Sequence, residues 1–149
     1  MPSTPSEEIH RRISSLQAAM IREGFEGALI IQRADLFYFS GSAHDAHLFV
    51  PAEGSPILLV QKNLEMAAEE SPLDYVISAA EFSDLRSAIE SAYGPLMYLG
   101  MELDVLPVNL YRRYEQLFAG TQIKDCSMII RTVRMFCGYR LRHGKAHTI

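Results

Sequence analysis

Two histidines and an aspartate crowd into His44-Asp45-Ala46-His47, within the stretch YFSGSAHDAHLFV at residues 38–50. Imidazole and carboxylate are the groups that ligate metals, move protons and satisfy turn amides, so this stretch is the first place to look for chemistry. Histidines three apart meet on a helix, but on a strand the i and i+3 side chains point to opposite faces. The flanking residues read as strand ends and loop, so a metal would need a turn geometry that the sequence does not announce. The plain alternative is a polar connection in which His, Asp and Ser satisfy backbone amides. Ser40-Gly41-Ser42 beside His44 superficially offers a nucleophile and a base, yet no strand-nucleophile-helix elbow surrounds it and only Asp45 could orient the base. The glycines stand singly at element ends, which leaves no phosphate-cradling loop. Tyr111, Tyr114 and Phe118, with Arg112 and Arg113 between them, could suggest base stacking. Their spacing of three and four fits a core-facing helix stripe better.

The elements that must position these residues follow from periodicity. Ile9, Ile13, Leu16, Met20 and Ile21 form the apolar stripe of a helix over 7–23, with Ser6 as N-cap, Glu7 and Glu8 facing the helix dipole, and Gly24 as the stop. GALIIQ is a short buried strand; LFYFSG and AHLFVP read as two more β-type runs, and ILLVQK follows the turn AEGSP. NLEMAAEES reads as a helix and DYVISA as a strand. SDLRSAIESAYG is a helix capped by Ser83 and closed by Gly94, and LMYLGME is a strand. LPVNLYRRYEQLFAG is a helix with Pro107 in its first turn, and QIKDCS is a last short strand. Strands and helices alternate through the second half. The expectation is an α/β fold in which a mixed central β-sheet carries helices on both faces, in a single domain.

A chain of 149 residues buries roughly 70% of its extended-chain surface on folding and needs no staples. Its longest aliphatic runs, ALII and ILLV, fall far short of the ~20 residues a bilayer requires, and MPSTPSEEIHRR has no apolar signal core, so a cytoplasmic location is expected. Cys126 and Cys137 then read as free thiols. Residues 1–135 hold all 18 acids and 11 of the 14 lysines and arginines, leaving −7, while FCGYRLRHGKAHTI at 136–149 carries +3 and no acid. Clustered positive charge is what phosphate binding needs, but three cations behind an acidic body favour a solvated, disordered basic tail with no nucleic-acid or membrane partner.

The order RRISSLQAAMIREGFEGALII, DLFYFSG, LFVPAEGSPILLV, GMELDVLPVNLYRRYEQLF and IKDCSMIIRTVRM resembles the N-terminal domain of the creatinase, prolidase and aminopeptidase P family, from Ile9 to Met135. The resemblance implies a ribonuclease-H-like fold. It also implies a larger catalytic domain of pita-bread fold after it, which carries two divalent metals such as manganese or cobalt on Asp, His and Glu side chains. Relatives continue past the equivalent arginine-methionine with an isoleucine-lysine-serine segment and a glutamate. Here the sequence switches to the basic tail, as a shifted reading frame or a truncated gene would make it do. After Met135 there is no Asp or Glu, and a two-metal hydrolase needs several converging carboxylates. The expectation is therefore a chain without metal or cofactor and without peptidase activity of its own.

Within that resemblance His44, Asp45 and His47 become candidates for a loop that shapes substrate access in a neighbouring catalytic domain. Arg131 and Arg134 become candidates for the edge where that domain docks. Surface that relatives bury would be exposed in an isolated copy, so the expected partner is a second copy in a homodimer or a cognate catalytic domain. Two roles follow: a non-catalytic accessory domain, or a subunit of a split proline-specific peptidase that complements a separately encoded catalytic half.

Overall fold

Apolar residues alternate along the strands and divide between two helical layers. The computed structural model describes the backbone of residues 5–143 and the side chains of residues 5–136. Six strands form one sheet: β1 (Gly27–Ile30), β2 (Ala46–Pro51), β3 (Ile57–Val60), β4 (Tyr75–Ser78), β5 (Tyr98–Met101) and β6 (Gln122–Asp125), in the order β4-β3-β2-β1-β5-β6. β2 runs antiparallel to β1 and β3, and the other pairings are parallel, so the sheet is mixed as expected. Ala28, Ile30, Leu48, Val50, Leu58 and Val60 face α1 (Ser6–Glu23), α2 (Arg33–Ser40), α3 (Leu64–Glu70) and α6 (Ser127–His143). Leu29, Phe49, Ile57, Leu59, Leu99 and Met101 face α4 (Asp84–Tyr93) and α5 (Val108–Leu117) on the other side. The period of two thus builds a separate core on each face. Phe39, Phe49 and Phe118 are each fully buried, and burial of a side chain of this size stabilises by roughly 2–3 kcal/mol.

The segment LFYFSG is a helix and not the strand expected of it. Asp35, Leu36, Phe39 and Ser40 are the buried residues of α2, a helical spacing, while Phe37 turns outward at 47% exposure. The Gln32 side chain accepts the Asp35 amide at the start, and Gly41 ends the helix at φ 78°, its amide donating to the Phe37 carbonyl. Aromatic β-propensity is a weak preference that this packing overrides. Cap details differ too. Pro5 occupies the cap position of α1, leaving Ser6 inside the helix, and Pro107 stands just before α5. Ser83 makes no capping bond; instead the Glu81 amide donates to Asp84 at 3.0 Å. The helix α6, unassigned from sequence, packs Ile130 and Val133 on α1 and runs through Met135, where the charge balance changes sign. Cys126 is free and buried; the Cys137 thiol and the end of the basic tail lie outside the described residues. No helix among the described residues is long and apolar enough to cross a membrane.

Candidate functional site

Five strands end on one edge of the sheet and antiparallel β2 begins there. After β1 the chain turns into α2 on one face, and after β5 it turns into α5 on the other. Such a divergence opens a crevice between the two strands, the place where open α/β sheets bind ligands. In this chain protein groups fill it. Asp35 at the start of α2 is fully buried, and Glu102, directly after β5, is 3% exposed. From α6, Arg131 pairs with Glu102, donates to Asp35 at 3.3 Å and shares one guanidinium nitrogen between both carboxylate oxygens of Asp104 at 3.1 Å, while Arg134 bonds Asp35 at 2.6 Å. The guanidinium of Arg134 also stands 5.1 Å over the Tyr38 ring, and that of Arg12 stands 4.0 Å over the same ring.

Burial pushes the Glu102 carboxyl up to about 8, helped by neighbouring Asp35 and opposed by Arg131. Burial thus favours the protonated form of Glu102, while the Arg131 and Arg134 guanidiniums also bond Asp35 and Asp104. The bond to Glu102 in turn holds the Arg131 guanidinium above its usual value. Burial would also raise Asp125, but the Ser127 hydroxyl and amide, the Leu103 amide and Arg131 outweigh it and lower the carboxyl. The Arg131 guanidinium already bridges Glu102, Asp35 and Asp104. Among the described residues no three His, Cys, Asp or Glu are placed to hold a metal ion.

His44, Asp45 and His47 share the edge but not a partner. His44 Nε2 lies 3.4 Å from Glu70 of α3 on one face of the sheet. His47 turns to the other face and shares a 2.6 Å hydrogen bond with the Tyr114 hydroxyl of α5. The two imidazoles thus diverge, His44 from the bend before β2 and His47 from the strand itself. Burial lowers His47 to about 4 and raises the Tyr114 hydroxyl to about 12, so both are neutral near pH 7. Asp45 points outward to Arg33 at 2.5 Å, both side chains more than half exposed. The serines do turn work: Ser40 donates to the Leu36 carbonyl, Ser42 donates to Glu70, and the His44 amide donates to Ser42. Neither hydroxyl is bonded to an imidazole. Tyr114 and Phe118 are core residues, whereas Tyr111 is partly exposed and donates to Glu115 of its own helix.

Arg131 and Arg134 sit at the molecular edge, each with 36% of its side chain exposed and its guanidinium turned onto this chain's own acids. Asp35, Glu102 and Asp104 were not singled out from sequence. The available signal was a carboxylate set inside apolar runs, ADLFYF and LGMEL, opposite arginines at helical spacing.

The sequence pattern of the Creatinase/Prolidase N-terminal domain matches residues 12–136. The chain belongs to that family. No curated protein sequence matches it. Among solved structures, the aminopeptidase P of Streptococcus thermophilus superposes with a TM-score of 0.74 at 15% identity, over 85% of this chain and 98% of that one. The N-terminal domain of the cytoplasmic peptidase PepQ from Mycobacterium tuberculosis gives 0.72 at 21% identity, over 83% and 98%. The prolidase of Pyrococcus horikoshii gives 0.71 at 22%, over 83% of this chain but 35% of that enzyme. At such identities the likeness establishes the fold. The mixed six-stranded sheet and the helices of the described residues thus have the fold of a creatinase/prolidase N-terminal domain.

Proposed function

We propose that this creatinase/prolidase N-terminal domain is the non-catalytic accessory part of an Xaa-Pro aminopeptidase or prolidase-like metallopeptidase, serving domain packing, self-association and the shaping of substrate access. The observation that carries this reading is the span of the match: residues 12–136 correspond to one domain, which is about a third of the prolidase of Pyrococcus horikoshii. In this reading the two divalent metals and the bond-breaking groups belong to a catalytic domain outside these residues, in the cytoplasm. His44, Asp45 and His47 lie at the start of β2 and contribute to specificity without touching the bond that breaks. Arg131 and Arg134 brace α6, whose exposed third of arginine surface faces the docked domain. The chemistry of the crevice supports the non-catalytic part of the reading, because its carboxylates are already neutralised by arginine or by a proton.

Hydrolysis of Xaa-Pro dipeptides and tripeptides in manganese or cobalt tests the proposal in three arms: this chain alone, a full-length family member, and that member with alanine at the three positions equivalent to His44, Asp45 and His47. The expected pattern is no turnover by the chain, turnover by the full-length protein, and a changed KM or kcat in the triple variant. Turnover by the chain alone, or unchanged constants in the variant, would overturn it.

A further inference from the structure

Among the described residues the sheet ends in two edge strands of opposite character, β4 and β6. β6 carries Lys124 and Asp125 in its four residues, charges of the kind that discourage edge pairing. β4 is Tyr-Val-Ile-Ser, without a charge, proline or glycine. Its backbone has a defined outward face. The Ala79 amide donates to the Val60 carbonyl of β3, so by the alternation of the strand the amides of Tyr75 and Ile77 also point inward, and those of Val76 and Ser78 point out. Tyr75 is 54% exposed and Ile77 36% exposed, on the face of the sheet covered by α4. There the edge borders a groove of about 440 Å³, lined by Tyr75, Ile77 and Ile57 from the strands and by Ala88, Ser91 and Ala92 from α4. Tyr93 closes one end of the α4 wall, and a groove between an edge strand and a helix is the geometry that accepts an added strand.

We infer that two copies of this chain join at β4, antiparallel about a two-fold axis at Val76, to make one continuous sheet. The occupant follows from self-complementarity. In this register the outward amide and carbonyl of Val76 pair with those of its symmetry mate, and Tyr75 stands opposite Ile77 of the other copy. That gives an aromatic against a β-branched residue twice over, on the groove face. Asp74, the one charge flanking the strand, falls opposite Ser78 and meets no like charge. The α4 residues that line the groove are uncharged, so nothing there selects an acidic or basic peptide. The inference rests on the self-association proposed above and adds its surface.

The test is the oligomeric state of the full chain by analytical ultracentrifugation over a range of concentrations, for the wild type and for Ile77→Lys, Val76→Pro and Val76→Cys, with circular dichroism to confirm folding. The wild type should dimerise. Ile77→Lys, at an exposed position that folding tolerates, should raise the dimer dissociation constant at least tenfold, as should Val76→Pro, which removes an outward amide. Val76→Cys should form a reducible covalent dimer on mild oxidation, while a cysteine in place of Gln122 on the β6 edge should not. A wild-type monomer at all concentrations would overturn both this surface and self-association. A dimer insensitive to Ile77→Lys and not cross-linked through Val76→Cys would overturn the surface alone.

Discussion

The carboxylates beneath α6 and the imidazole beside α5 occupy the same edge of one sheet, and burial acts on them in opposite directions. Glu102 is an acid whose proton is held up to about 8; His47 is a base whose proton is lost down to about 4. Each is kept neutral near pH 7 because a low-dielectric site disfavours the charged form. The difference is in what surrounds them. Glu102 sits in a network in which Asp35, Asp104, Arg131 and Arg134 depend on one another, whereas His47 has a single hydroxyl partner in Tyr114. The network ties α2, β5 and α6 together; the loop residues tie β2 to one helix at a time.

The largest effect should come from breaking the network. Asp35→Ala removes the acceptor of Arg134 and one acceptor of Arg131 while leaving both arginines in place. Removing one partner of a buried pair costs about 3–5 kcal/mol, and the exposed third of each arginine places this site near the lower end. Urea unfolding should show that loss for Asp35→Ala and a smaller one for Asp35→Asn. A change under 1 kcal/mol would mean that α6 is held by Ile130 and Val133 alone.

The pH dependence of stability separates the two regions by sign. For Glu102 the folded state keeps a proton that the unfolded state releases from about 4.5 upward, so its contribution to stability falls as pH rises between about 4.5 and 8. For His47 the unfolded state takes up a proton below 6.5 that the folded state refuses until about 4. Its contribution is intact above 6.5 and is lost as pH falls toward 4. Glu102→Gln should therefore remove a fall in Tm between pH 6.5 and about 8, where His47 adds no slope. His47→Gln should remove a rise in Tm between about 4 and 6.5, part of which the Glu102 contribution opposes. A fall above pH 6.5 that persists in Glu102→Gln would show that Glu102 is not its source.

Much of this arrangement is legible in the sequence, for reasons that differ by region. The strands β1, β2, β3 and β5 announce themselves as short aliphatic runs, because a strand covered on both faces has no polar positions to confuse its period. His47 points as its place on β2 dictates, whereas the direction of His44 is set by the bend before the strand. The segment LFYFSG misleads because four of its residues are apolar or aromatic, and its helical period appears only when the buried Asp35 is counted with the core. That same carboxylate hides the network. Asp35, Glu102 and Arg131 are 67 and 29 residues apart in sequence, and no local pattern joins them until the sheet places α2 beside β5. A buried acid reads as a break in an apolar run until its arginine is known.

The smallest expected effect is the most useful for separating fold from function. Asp45 and Arg33 form a pair whose side chains are 59% and 78% exposed, and pairs this exposed contribute about 0–1 kcal/mol, less in salt. Asp45→Ala should thus leave the unfolding midpoint within about 0.5 kcal/mol of the wild type, at both low and high ionic strength. A cost above 1 kcal/mol at either salt would make the pair a structural brace. His47 does not offer so clean a probe, because its removal also leaves the buried Tyr114 hydroxyl without its partner. A kinetic change from the Asp45 substitution in a full-length relative therefore reports on substrate access, since the fold does not depend on that carboxylate. The same change from His47 confounds access with the packing of β2 against α5.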